Sequence, residues 1–152
     1  DRDAYTERFD AMHAPLLRYA TRLTNEETAY DVVQNAFVSL WQMRASIDLD
    51  RSLKSLLYTL VRNEALNQRR AMDRRRDRHS EYSPSRSPLP PENVEAEALQ
   101  AHLQQWIDDL PERQREAFRL SRFDGLTHDE IADVMNIKPR TVTNHVTKAL
   151  QT

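Results

Sequence analysis

The stretch THDEIADVMNIKPRTVTNHVTKAL, Thr127–Leu150, reads as two short helices joined by a tight turn. Thr127 followed three residues later by Glu130 is a capping box, in which each side chain satisfies a backbone N–H at the start of a helix. Ile131, Val134 and Met135 then fall on one helical face. Asn136 tolerates the left-handed conformation that ends a helix, and Pro139 has the fixed φ and missing donor that suit the first turn of the next one. In the second helix Val142, Val146, Ala149 and Leu150 are spaced to pack inward. Arg140, Thr143, Asn144, Thr147 and Lys148 are left on the outside. That outer face is cationic or hydrogen-bonding throughout. Such a face suits a DNA major groove, where Asn pairs with adenine, Lys with guanine and hydroxyls with several partners. An ordinary helical hairpin with a solvated face has the same pattern.

Working outward, the 152 residues suffice for one moderate core or two small ones. The single glycine, and four of the seven prolines crowded between Pro84 and Pro91, favour two helical bodies with a linker. The expected fold is therefore all-α, two helical domains joined by a flexible linker, the C-terminal one ending in a helix-turn-helix. The chain has no cysteine, which excludes disulfides and thiolate metal sites. No apolar run approaches a membrane span and no secretory signal opens the sequence, so a cytoplasmic location is expected. The first residue is Asp1, as in a trimmed fragment.

The net charge of −2 conceals strong segregation. Residues 62–78 hold seven arginines against three acids, and residues 138–152 hold Lys138, Arg140 and Lys148 with no acid. Between Glu92 and Asp133 eleven acids face four arginines. Local basic patches on an acidic body imply weak DNA binding by the chain alone, because phosphate neutralisation supplies most non-specific affinity. A partner contributing the rest is implied.

From Asp3 to Leu23 the residues Tyr5, Phe9, Met12, Leu16, Tyr19, Ala20 and Leu23 recur at helical spacing, and Pro15 predicts a kink or a break. Asn25 is a plausible N-cap for a helix reaching about Arg44, with Glu26 and Glu27 in its first turn. In that helix Tyr30, Val33, Phe37, Leu40 and Trp41 form the expected buried side, and Glu27, Asp31, Gln34 and Asn35 a polar side. Residues 45–52 read as a loop. Leu53 through Leu66 resume an apolar helix whose distal part carries Arg62, Asn63, Asn67, Arg69 and Arg70. Asn63 and Asn67 share a face at i, i+4. Residues 79–92, HSEYSPSRSPLPPE, are the expected extended linker. Beyond it, Ala96–Leu110 is an expected helix with Ala98 or Leu99, Leu103, Trp106 and Leu110 inward. Pro111 starts another, through about Phe123, that buries Ala117, Phe118 and Leu120, with Gly125 as its stop.

Three of these stretches together resemble the bacterial extracytoplasmic-function sigma factors. DVVQNAFVSLW, Asp31–Trp41, resembles the family's polymerase-binding stretch, and LLYTLVRNEALNQRR its promoter-melting helix. LPERQREAFRLSRFDGLTHDEIADVMNIKPRTVTNHVTKAL resembles its C-terminal promoter-binding domain. The resemblance implies a region 2 body over 1–78, a linker over 79–95 and a region 4 body over 96–152. It implies that Glu27, Asp31, Gln34 and Asn35 face core RNA polymerase, with Asn35 standing where an acid is common. Lys54, Arg62, Asn63, Asn67, Arg69 and Arg70 match positions near the unpaired minus-ten strand, and Ile47–Lys54 the loop that captures a flipped base. Arg140, Thr143, Asn144, His145, Thr147 and Lys148 match the recognition helix over the minus-thirty-five element. Arg140 is expected to hold a phosphate there instead of reading a base.

The partners so implied are core RNA polymerase, promoter DNA and an anti-sigma factor. The last could hold the protein at the inner membrane, and its grip on the two bodies depends on a linker that lets them change separation. A sigma mimic that binds only an anti-sigma factor would have no use for the basic helix end or the acid-free recognition helix. A conventional helix-turn-helix activator would not need DVVQNAFVSLW or the linker. An enzyme is disfavoured, with no cofactor, metal or small-molecule substrate expected. Five scattered histidines, no cysteine and no glycine-rich phosphate loop leave little to build a site from.

Overall fold

The computed structural model describes the backbone of residues 2–47, 52–76 and 94–151, and the side chains of residues 10–47, 52–75 and 95–151. Seven helices follow in order among these residues: α1 Arg2–Leu23, α2 Glu26–Gln42, α3 Leu53–Arg76, α4 Val94–Asp108, α5 Glu112–Arg122, α6 His128–Met135 and α7 Pro139–Gln151. A 3-10 turn over Arg44–Ser46 follows α2, and no strand occurs among the described residues. The linker expected at 79–92, residues 48–51 of the loop expected at 47–54, and the side chains of Tyr5 and Phe9 lie outside what is described, and Leu53 and Lys54 belong to α3. The second body opens at Val94, two residues before the helix expected at Ala96.

Local chemistry sets the helix ends. Asn25 Oδ1 accepts from the Thr28 N–H at 2.8 Å, which caps α2. Thr127 and Glu130 form the expected capping box of α6, Asn136 ends that helix at φ 55°, and α7 begins on Pro139. Gly125 supplies a second left-handed residue, at φ 67°, in the corner between α5 and α6.

Four expectations about packing are corrected. α1 runs through Pro15 without a break. Proline removes one hydrogen bond, but Leu16, Tyr19 and Ala20 just beyond it are buried where α1 packs on α2 and α3, and that packing carries the helix across. The inward face of α2 is Ala29, Val32, Val33, Ala36 and Leu40, while Phe37 is half-buried and Tyr30 and Trp41 are 57% and 66% exposed. Small and β-branched residues permit close approach of α1 and α3, and this leaves no room for the aromatics. In α4, Ala98, Leu99 and Leu103 are exposed; only its end is covered, where Trp106, Ile107 and Leu110 meet Phe118. Leu150 is exposed while Val142, Val146 and Ala149 are buried.

Helices α1–α3 form one body and α4–α7 the other, and the two are packed together. α3 lies against α6. A single cluster of buried residues includes Leu57 and Val61 of α3 together with Ala117, Leu126, Ile131 and Val142 of the second body.

Candidate nucleic-acid interface

The α6–α7 pair is a helix-turn-helix whose outer face is open. Arg140, Thr143, Asn144, Thr147 and Lys148 are all exposed, and His145 is half-buried. Thr143 is tied to the preceding helix: its Oγ1 lies 2.9 Å from His128 Nδ1 and donates to the Pro139 carbonyl at 3.2 Å. Burial, with the charges of Arg113 and Lys148, pushes the His145 imidazole below its ordinary value. It is therefore neutral at neutral pH, able to donate or accept one hydrogen bond but carrying no charge toward a phosphate.

On α2 the polar residues Glu27, Asp31, Gln34 and Asn35 are all exposed. They share their side of the helix with three apolar residues, Tyr30, Val38 and Trp41, which are also exposed. Arg44 covers the Trp41 ring, its guanidinium carbon 4.2 Å from the ring centroid. Asn35 reaches away from this patch to Glu64 Oε1 of α3, at 3.0 Å. Helical spacing of the large apolar residues predicts Tyr30 and Trp41 in the core, and both are exposed. A complete inward stripe from Ala29 to Leu40 was already present without them, and that surplus was the missed signal.

The six residues expected near a minus-ten strand do not form one surface. Asn63, Asn67 and Arg70 are exposed in a row on α3, with Arg70 hydrogen-bonded to Asn67. Lys54, Arg62 and Arg69 lie on another stripe, together with Tyr58, and face the second body. Arg62 grips Glu116 of α5 with two donors, Nε to Oε1 at 2.6 Å and a terminal nitrogen to Oε2 at 3.3 Å. Tyr19 donates to the same Oε1 at 3.0 Å. Two residues past the end of α5, Asp124 is held similarly: Arg22 reaches Oδ2 at 2.6 Å, Tyr58 donates to Oδ1 at 3.1 Å, and Lys54 Nζ donates to its carbonyl at 2.8 Å. Arg69 approaches Glu112 at 3.5 Å.

The electrostatics of this seam are those of buried pairs at Glu116 and Asp124, while the Arg69–Glu112 pair is exposed. Both side chains of the Arg62–Glu116 pair are nearly buried, at 13% and 12% exposure. Burial lowers the Arg62 value, but the hydrogen bonds and charge of Glu116 outweigh it and leave the guanidinium above its ordinary value. Burial, then the neighbouring carboxylate, pushes both Tyr19 and Tyr58 well above the ordinary phenol value, so each acts as a neutral donor. Glu116 and Asp124 were not singled out in the sequence, where they stand among many acids. Among the described residues no group of three His, Asp or Glu side chains is placed to hold a metal, and no helix is long and apolar enough to cross a membrane.

The family Sigma-70 region 2 matches residues 9–76, and Sigma-70, region 4 matches residues 101–152. The ECF RNA polymerase sigma-E factor of Escherichia coli is 32% identical over 130 residues, covering 78% of this chain and 68% of that one. The ferric citrate uptake sigma factor FecI of Escherichia coli is 29% identical over 144 residues, 91% of this chain and 82% of that one. Among solved structures, the sigma factor RpoE in complex with the anti-sigma factor NepR from Bartonella quintana superposes with a TM-score of 0.76 at 21% identity, covering 97% of this chain and 92% of that chain. A region 2 body, a region 4 body ending in a helix-turn-helix, and sequence identity running across both lead to one assignment: the chain belongs to the extracytoplasmic-function sigma factors of bacterial RNA polymerase.

Proposed function

We infer that the chain is a dissociable polymerase subunit that binds core RNA polymerase and directs transcription initiation at specific promoters. The observation that carries this reading is the outer face of α7, exposed, free of acids and presented by a capped helix-turn-helix. In this reading Asn144, Thr147 and Lys148 reach base edges of a minus-thirty-five element, with Thr143 and neutral His145 adding hydrogen bonds and Arg140 holding a phosphate. Asn63, Asn67 and Arg70 line the path of the unpaired minus-ten strand, joined by Lys54, Arg62 and Arg69 once these are free. Glu27, Asp31 and Gln34 dock on the polymerase, with Tyr30 and Trp41 as apolar anchors and Asn35 at the edge. Exposed aromatics ringed by polar groups are the composition of an interface.

The domain division, region 2 to residue 78 and region 4 from about residue 96, follows the same reading. The protein works as a binding subunit and leaves the chemistry to the polymerase, in the cytoplasm where that enzyme acts. An anti-sigma factor is the natural regulator, because it can cover both bodies at once.

Transcription in vitro with core polymerase and a library of promoters, run with and without the chain, tests this. Start sites that depend on the chain and share minus-ten and minus-thirty-five sequences are expected. The absence of any such start would overturn the assignment.

A further inference from the structure

Acids of the second body sit against the cationic stripe of α3. On α3, the stripe of Lys54, Tyr58, Arg62 and Arg69 faces the carboxylates of Glu112 and Glu116 on α5 and the carboxylate and carbonyl of Asp124 in the corner between α5 and α6. Arg62 presents its fork to Glu116 as a guanidinium does to a phosphate, and Arg22 with Tyr58 does the same for Asp124. Ser52, at the foot of α3, is bonded to Glu130 of α6 at 2.8 Å. The neighbouring stripe of Asn63, Asn67 and Arg70 stays exposed, as do Arg140, Thr143, Asn144, Thr147 and Lys148 of α7. The closure is thus selective: acids of the second body engage Lys54, Arg62 and Arg69 and leave Asn63, Asn67 and Arg70 exposed.

We propose that Glu116 and Asp124 form an internal mimic of nucleic-acid phosphate, a latch that holds the cationic stripe of α3 closed against single-stranded DNA until the two bodies separate. The proposal rests on the reading of α3 as the strand-binding face. The contacts suit a latch better than a permanent interface. A buried ion pair gains little net stability over water because desolvation offsets most of the Coulomb attraction. A polyanion that offers the same guanidiniums several phosphates, and releases counterions as it binds, can therefore compete. The seam is also split by a cleft of about 450 Å³ beside Tyr19, Arg69 and Glu116, so the two bodies are not joined by apolar packing along its whole length. Closure lowers apparent affinity by the fraction of molecules that are open. The free chain would then hold promoter strands weakly, and opening on the polymerase would release Arg62 and Lys54 where melting occurs.

The test uses the full chain and a fluorescent pool of random 12-nucleotide single strands, read by anisotropy. Glu116→Gln and Asp124→Asn should bind about tenfold tighter than the unaltered chain, as expected when a state closed about nine times in ten is opened. Asp133→Asn, which removes one charge from the exposed side of α6, should gain less than twofold. Adding Arg62→Gln to Glu116→Gln should cancel the gain. Equal affinity gains in all three single variants would overturn the latch and leave the strand-binding face intact. Strands bound by none of the proteins would overturn that face and the latch together.

Because Asp124→Asn leaves Arg22 without its partner and could unfold the corner, a second arm works on the folded chain. The chain has no native cysteine. Ser52→Cys with Glu130→Cys, joined by a reducible bismaleimide, should lose strand binding, and reduction should restore it while the adducts remain. Undiminished binding by the stapled protein would contradict the proposal.

Discussion

Helices α3 and α7 both carry rows of cations and amides at helical spacing, yet they are used differently. On α7 every outward residue from Arg140 to Lys148 is open except half-buried His145, and no acid lies within the helix. On α3 the row is split, with Asn63, Asn67 and Arg70 exposed and Arg62 and Lys54 bonded to Glu116 and the Asp124 carbonyl. Residue type and spacing alone therefore do not decide how much of a basic helix the fold leaves exposed. The outer face of α7 stays exposed in the free chain, while the basic row of α3 is half engaged.

The largest expected difference between the two helices is in stability. Arg62→Gln leaves the Glu116 carboxylate in the seam without its cation and should lower unfolding free energy by about 3 kcal/mol. Arg140→Gln, on an exposed face, should change it by no more than about 0.5 kcal/mol. Urea denaturation followed by circular dichroism measures both. Similar small changes would mean that Glu116 is solvated and that the two helices do not differ.

A second contrast separates base readers from a phosphate clamp within α7. In holoenzyme, Asn144→Ala or Lys148→Ala should lose roughly 1 to 3 kcal/mol on the preferred minus-thirty-five duplex and less on mismatched ones. Arg140→Ala should weaken all duplexes alike and reduce the salt slope by about 1. Binding across a salt series decides it, and relaxed preference with Arg140→Ala alone would reverse the two roles.

The smallest effect is a pH dependence at the foot of the seam. Burial tends to raise the Glu130 carboxyl, but hydrogen bonds from the Thr127 backbone and side chain and from Ser52, with the charge of Lys54, bring it below its ordinary 4.5. A depressed carboxyl stabilises the fold above its unfolded value. That stabilisation is lost as pH falls from about 4.5 through the folded value. Glu130→Gln should therefore flatten the acid limb of the stability curve without adding a step near neutrality. An unchanged acid limb would place Glu130 outside the seam's energetics.

What the sequence made legible follows the range of the physics involved. The capping box at Thr127, the left-handed Asn136 and the leading Pro139 act within a few residues, and all three are found where the residue types predicted them. The inward face of α2 was misassigned because hydrophobicity was taken to point inward, whereas close packing there selects Ala29, Val33 and Ala36 over Tyr30 and Trp41. Leu99 and Leu103 repeat the point, since only the end of α4 has anything to pack on. The division of α3 was out of reach. Its partners are 54 residues away at the Glu116 carboxylate and 70 at the Asp124 carbonyl, and no local pattern marks two acids among eleven as the ones that return.

Linker composition alone leads to a broad spread of separations between the bodies, whereas the paired seam leads to one. Spin labels at Asp10→Cys on α1 and Asp133→Cys on α6, both exposed positions, report that separation directly by pulsed dipolar spectroscopy. The account predicts a single narrow distance in the free chain and a longer one when the same labelled protein is assembled with core polymerase on promoter DNA. A broad distribution in the free chain, or the same narrow distance in both states, would contradict it.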